Sequence, residues 1–354
     1  MRHQPLPGTS PMESAVPGSP GTAATLARPA VLGLAALSSL AGTLVLAACT
    51  REEPSPAPTT ETIMTSPSIA ATNAFYYYRD LDSAWEFYTH VLGLETVADF
   101  GFAKILRVAP SSYLTLVDEE VGMHSADDPK SVTLAMVTEE VEGWWAYLSG
   151  KDIPMRARLG EVDLARPYNG FVAIDPEGYL LEFERFNPHE QNTELLPRLA
   201  GVEPLGPAPG VETTRPPDLR VQATVLWLYY HDIGAALAWY ESVLDTRLLV
   251  DQGWAKAVPV SATGYLGFVD GSRGLHQATE EKAVTVSFFT HDVEGWFYAL
   301  ESRPDFSLRT PAITGVAERV RTFVGYDPEG YFLEWDTFLD VEENRTLLAY
   351  LEGP

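Results

Sequence analysis

Cysteine is nearly missing from this chain of 354 residues: Cys49 is the only one, so no disulfide can form within it. Lysine is scarce as well, at five positions (Lys104, Lys130, Lys151, Lys256 and Lys282), and 24 Lys and Arg face 49 Asp and Glu for a formal net charge of −25. A surface so acidic repels a polyanion instead of gaining counterion-release energy, which excludes direct nucleic-acid binding as a partner class. The same imbalance fits either a salt-adapted proteome or an acidic protein outside the cytoplasm. Apolar residues are in no short supply: at 45% of the chain they suffice for two globular cores.

The single cysteine sits at a telling place. Arg28 precedes an uncharged, largely apolar run from Pro29 to Ala48 that closes on Leu46-Ala47-Ala48-Cys49. A basic residue, an apolar stretch and small residues before a cleavage point describe a secretory signal over residues 1–48. This one resembles a bacterial lipoprotein signal, which implies lipidation of Cys49, a membrane partner through that lipid, and an extracytoplasmic location anchored to a bacterial membrane. Thr50 next to the cysteine admits the outer membrane or cell surface. The alternative is an uncleaved anchor, because the run is just long enough to cross about 30 Å of hydrocarbon. Residues 49–71, rich in Pro, Ser, Thr and Glu, bury too little to fold and are expected to be a flexible tether.

The rest of the chain repeats itself. A shift of 152 residues carries Asp80 onto Asp232, Tyr88 onto Tyr240, Gly101-Phe102-Ala103-Lys104 onto Gly253-Trp254-Ala255-Lys256, and Glu182 onto Glu334. A period far beyond that of solenoid repeats means two globular units. The first is expected over 72–201 and the second over 223–354, with a Pro-rich linker at 202–222 between them. Each unit closes with leucines three to four apart (Leu195, Leu196, Leu199; Leu347, Leu348, Leu351), the mark of a short amphipathic helix.

Within each unit a pattern recurs: strand, helix, then three strands. In the first copy it reads Ala74 to Tyr78, an Asp-capped helix from Asp80 to Val91, and strands at Ile105 to Val108 and Tyr113 to Val117. It returns as Val132 to Val137, a helix from Glu139 to Leu148, and strands at Met155 to Arg158, Phe171 to Ile174 and Tyr179 to Phe183. The last two are joined by Asp175-Pro176-Glu177-Gly178, where Pro presets the turn and Gly supplies a positive φ. Asp-Leu-Asp-Ser-Ala-Trp-Glu-Phe-Tyr early and Asp-Pro-Glu-Gly-Tyr-Leu-Leu-Glu-Phe late, both echoed in the second copy, resemble the vicinal oxygen chelate superfamily. Its members include glyoxalase I, extradiol dioxygenases, fosfomycin-resistance enzymes and bleomycin-binding proteins. The resemblance implies an α+β fold of two tandem domains, each a pair of βαβββ modules forming an open eight-stranded, barrel-like sheet with helices outside.

Strand alternation then sorts side chains, and the resemblance makes one face the cavity. In the first copy that face carries Asn73, Phe75, Tyr77 and Arg79, then Thr133, Ala135 and Val137, then Leu180 and Glu182. The second copy offers Val225, Trp227, Tyr229 and His231, then Thr285, Ser287 and Phe289, then Phe332 and Glu334. The superfamily's metalloenzymes take two His and a Glu from these strands. Here the matching positions are Asn73 or Val225, Thr133 or Thr285, and Glu182 or Glu334, so only the glutamates remain. One carboxylate among amides and hydroxyls is a poor divalent-metal site. The expectation is therefore no cofactor, with Glu182 and Glu334 as weak metal candidates, general bases, ligand-orienting acids, or relics satisfied by neighbouring hydroxyls and water.

Two loop histidines, His124 and His276, occupy matching places and are candidate ligand contacts or proton carriers. Aromatic side chains near the concave faces (Phe75, Tyr77, Phe102, Trp227, Tyr229, Trp254 and Phe289) suit stacking on a flat or apolar molecule, or else fill and seal the barrel. The expected ligand-binding set is Phe75, Tyr77, Thr133, Glu182, Trp227, Tyr229, Thr285, Glu334, His124 and His276. The leading reading is a lipid-tethered protein that binds a small hydrophobic or aromatic molecule without a metal. One alternative is a glyoxalase-type lyase or dioxygenase whose metal is held by Glu182 and His124, and another is a non-catalytic structural or interaction module. The sequence leaves the oligomeric state open.

Overall fold

The computed structural model describes residues 67–352. The signal, Cys49 and residues 49–66 of the tether lie outside the described residues. Four modules succeed one another along the described chain. The first has strands Ala71–Tyr78, Glu95–Asp99, Ala103–Ala109 and Ser112–Asp118; the second Val132–Val137, Met155–Ala157, Tyr168–Ile174 and Leu180–Phe186. The third has Ala223–Tyr230, Val250–Asp251, Ala255–Pro259 and Gly264–Asp270; the fourth Val284–Phe289, Ser307–Leu308, Thr314–Val316, Val320–Tyr326 and Phe332–Phe338.

The α+β class and the open sheets agree with expectation, but the modules pair differently. In every module the leading strand lies parallel to the closing strand, leaving its other edge bare. A bare edge of buried N–H and C=O groups must find a partner. Ala71–Tyr78 meets Val284–Phe289 of the fourth module antiparallel, with Ala71 opposite Phe289 and Asn73 opposite Ser287. Val132–Val137 meets Ala223–Tyr230 of the third in the same way, Thr133 opposite Trp227 and Ala135 opposite Val225. One sheet of nine strands therefore joins the first and fourth modules, and one of eight joins the second and third. The expectation that both modules of one copy share a sheet is corrected to this nested order. All four leading strands carry the same alternation, so the pattern specifies which face is buried and not which edge is matched.

Hydroxyl pairs span both observed seams. Tyr77 Oη lies 2.7 Å from Thr285 Oγ1 and Tyr229 Oη 2.8 Å from Thr133 Oγ1, one pair across each seam. Tyr179 accepts from the Tyr77 N–H and donates to the Ala283 carbonyl, tying three modules at one atom; Tyr331 does the same with Tyr229 and Ser131. The linker is packed, not loose: the buried Arg215 donates to the carbonyls of Leu92, Leu205 and Leu219.

The largest core lies on the convex sides, where Tyr76, Tyr78, Tyr230, Trp144, Trp296 and Trp335 from all four modules meet beneath the helices. Asp80 caps its helix by accepting from the Ser83 N–H at 3.0 Å, and the helix widens into a π turn over Phe87–Val91. The repeated Asp-Pro-Glu-Gly turn has a structural use. Asp175 accepts from the hydroxyls of Tyr78 (2.6 Å) and Tyr88 (3.1 Å) and from the N–H groups of Glu177 and Tyr179, while Glu177 accepts from the Arg79 and Asp80 N–H groups. The motif is thus a clamp between the closing turn, the leading strand and the helix start. Gly178 and Gly330 take φ of 97° and 89°, which an L side chain rarely adopts.

Candidate functional site

Each sheet curls around a cavity. That of the nine-stranded sheet measures about 310 Å³ and is lined by Phe75, Tyr77, Phe100, Phe102, Ile105, Thr115, Val117, Met123, Arg309, Thr322, Glu334, Asp336 and Phe338, among others. That of the eight-stranded sheet measures about 280 Å³, with Tyr168, Gly170, Glu182, Glu184, Trp227, Tyr229, Trp254 and Arg273 in its lining.

The nested pairing redistributes the expected residues. Phe75, Tyr77, Phe102, Thr285 and Glu334 gather at the first cavity; Trp227, Tyr229, Trp254, Thr133 and Glu182 gather at the second. Asn73 and Glu182, counted together as one site when read along a single copy, lie in different sheets. The alternative ligand set of Glu182 with His124 comes apart for the same reason. His124 packs edge-on against Tyr77 at 5.0 Å and beside Phe332 at 4.3 Å, both in the nine-stranded sheet. His276 stands likewise against Tyr229 at 5.0 Å. Both rings back the tyrosines without lining either cavity, and burial lowers each imidazole to about 4, so they are neutral near pH 7. Arg79 and His231 also leave the cavities: they are exposed, against Glu119 and Glu329. Phe289 is wholly buried between Tyr113 and Phe338 and fills the nine-stranded sheet from within.

Each cavity floor holds a second acid that is missing from the expected set. Glu184 and Asp336 follow Glu182 and Glu334 by two residues, so the same alternation that placed the first acid places the second beside it. Both are 2% exposed. Burial pushes Glu182 up to about 7 and raises Glu184 well above the ordinary carboxylate range, further lifted by its neighbour's charge. Glu334 rises for the same two reasons, with Asp336 as the neighbour, and Asp336 is raised by burial although the Ser287 hydroxyl, donating at 2.6 Å, opposes that. The phenols of Tyr77 and Tyr229 are raised by burial and stay protonated.

The two floors differ around these acids. On the nine-stranded sheet, Thr115 Oγ1 donates to Asn73 Oδ1 at 3.0 Å and Ser287 to Asp336, so the floor is polar. At the matching places the eight-stranded sheet has Gly267, Val225 and Ala135, and Trp227 occupies the space: a Cβ on Gly267 would lie 1.9 Å from the indole. Neither floor suits a transition metal. Among the described residues no three His, Cys, Asp or Glu come together, and the donors beside the acids are an amide and hydroxyls, with no imidazole or thiolate.

Two curled sheets, each built from two βαβββ modules with helices on the convex side, define a fold shared with the glyoxalase class. Residues 69–183 match the family model "Glyoxalase/Bleomycin resistance protein/Dioxygenase superfamily". The chain is similar to glyoxalase I from Zea mays at 15% identity and a TM-score of 0.53, covering 81% of this chain and 96% of that one. It is also similar to a provisionally assigned dioxygenase from Bacillus subtilis at 12% identity and a TM-score of 0.52, covering 77% of this chain and 86% of that one. Identities this low show a common fold and nothing finer. No curated protein matches the chain.

Proposed function

We propose that this protein binds a small hydrophobic or aromatic molecule in the cavity of the nine-stranded sheet, without a family-type metal, while tethered to a membrane through a lipid on Cys49. The observation that carries the reading is that cavity itself: about 310 Å³, walled by Phe75, Phe100, Phe102 and Phe338, with polar groups confined to the floor and rim. A concave, mostly apolar surface with a few convergent polar groups is the usual form of a small-molecule site. The donor set beside Glu334 favours recognition over metal chemistry, since it offers carboxyls, an amide and hydroxyls alone. The tether rests on the Leu46-Ala47-Ala48-Cys49 sequence.

The test transplants one floor onto the other. The double substitution Phe75→Trp with Thr115→Gly copies the Trp227 and Gly267 pair and puts an indole where the cavity has a phenyl wall and a hydroxyl floor. Titration calorimetry with an uncharged indole probe is expected to show binding in the parent and weaker binding in the double variant. Unchanged binding in a folded double variant would move the site elsewhere and end this reading. Globomycin-sensitive processing and palmitate labelling at Cys49 test the tether; labelling that persists in Cys49→Ala would remove it.

A further inference from the structure

The floor of the nine-stranded cavity contains unmet hydrogen-bonding capacity. Asp336 is 2% exposed; its Oδ2 accepts from Ser287, and its Oδ1 has no partner. Thr322, opposite Asp336 across the sheet, is 5% exposed, lines the same cavity, and has a hydroxyl that faces both acids without closing a hydrogen bond of normal geometry to either. Among the described residues no Lys, Arg or His forms an ion pair with Glu334 or Asp336. Arg309, the one basic side chain in the lining, is exposed at the rim with its guanidinium 5.0 Å over the Phe332 ring.

A buried carboxyl oxygen without a donor is costly, and a native structure that retains one has a use for it. What the protein lacks at this point is a donor that is also positive. The walls above the floor are aromatic and suit an apolar body attached to that donor. The net charge of −25 draws cations toward the molecule before any contact is made. Arg309 at the mouth disfavours positive charge on the part of the solute that lies at the rim, which points to a single ammonium placed at the floor.

We propose that the cavity takes a small amphiphilic monoamine, its apolar body against Phe75, Phe102 and Phe338 and its ammonium group on the floor, donating to Asp336 Oδ1, the Thr322 hydroxyl oxygen and the Glu334 carboxyl. This rests on the proposed small-molecule binding and adds the chemical class of the ligand. The eight-stranded cavity has an acid pair too, with Glu184 Oε1 likewise unpartnered, but Val225, Ala135 and Gly267 stand where the nine-stranded floor has the polar Asn73, Ser287 and Thr115.

Three probes on one ring system separate the possibilities: tryptamine (amine), tryptophol (alcohol) and indole-3-acetate (acid), titrated calorimetrically at neutral pH. Tryptamine is expected to bind at least about tenfold more tightly than tryptophol, the margin of a charge-assisted over a neutral hydrogen bond, and indole-3-acetate more weakly than either. Asp336→Asn should erase the preference for the amine over tryptophol; Glu334→Gln carries the same comparison if that variant does not fold. Equal affinities, or preference for the acid, would overturn the amine assignment and leave aromatic binding standing as long as tryptophol binds. Binding of none of the three would overturn both.

Discussion

The two cavities descend from one repeated plan and have been finished differently. Phe75 beside Thr115 leaves a hydroxyl on the floor; Trp227 beside Gly267, at the same places, lays an indole there, and the two cavities keep similar volumes of about 310 and about 280 Å³. The change at the aromatic position depends on the change beneath it, since an indole in the second cavity has no room for any side chain at residue 267. A duplicated site can therefore change its floor from hydroxyl to indole through two compensating substitutions while the strands, the seam and the acid pair stay in place.

The most severe way to test this contrast is Gly267→Thr, which restores the first floor's residue beneath an unchanged Trp227. A Cβ there starts 1.9 Å from the indole, and overpacking is expected to cost about 3 kcal/mol by urea denaturation. The mirror substitution Thr115→Gly removes one hydroxyl bond to Asn73 and is expected to cost about 1–2 kcal/mol. Equal losses would mean that Trp227 is not held as described. A smaller effect probes what the two sheets share. Tyr77→Phe and Tyr229→Phe each delete one hydroxyl pair across a seam, and each is expected to lower stability by about 1 kcal/mol. A large disparity between them would show that the seams are unequal.

The smallest effect is a pH dependence. Glu182 is raised to about 7 in the folded protein by burial, so its contribution is fully favourable below the ordinary glutamate value and is lost as pH rises through about 7. Stability should fall from about pH 4.5 to pH 8. Glu182→Gln should flatten that fall by about 1 kcal/mol once its partial exposure is allowed for. A melting-temperature profile in which the variant keeps the full slope would assign the dependence to other acids.

Much of the fold was legible because it is written twice and locally. The capping Asp80, the Asp-Pro-Glu-Gly turn and the inward side of each strand follow from short-range patterns, and the structure adds that Asp175 and Glu177 clamp the helix start. The partner of each leading strand was not legible, because Ala71–Tyr78 and Ala223–Tyr230 offer equivalent edges, and even the seam contact of Tyr77 with Thr285, 208 residues apart, has its equivalent in Tyr229 with Thr133. That one unknown scattered the candidate site, putting Asn73 with Glu182 when its companions are Ser287 and Asp336. Asp336 and Glu184 were within reach of the sequence, since the alternation that selected Glu334 and Glu182 continues two residues further. Thr115, Thr322 and Arg309 were not, because only the curvature of the sheet brings them to the same space.

The nested order of the modules also has a bearing on how the chain reaches its native state. The inner pair can zip up across the 202–222 strap, whereas the bare edge of Ala71–Tyr78 has no mate until Val284–Phe289 has been synthesised. Closing that outer seam joins sites more than two hundred residues apart, a slow step during which an apolar strand edge is open to mispairing.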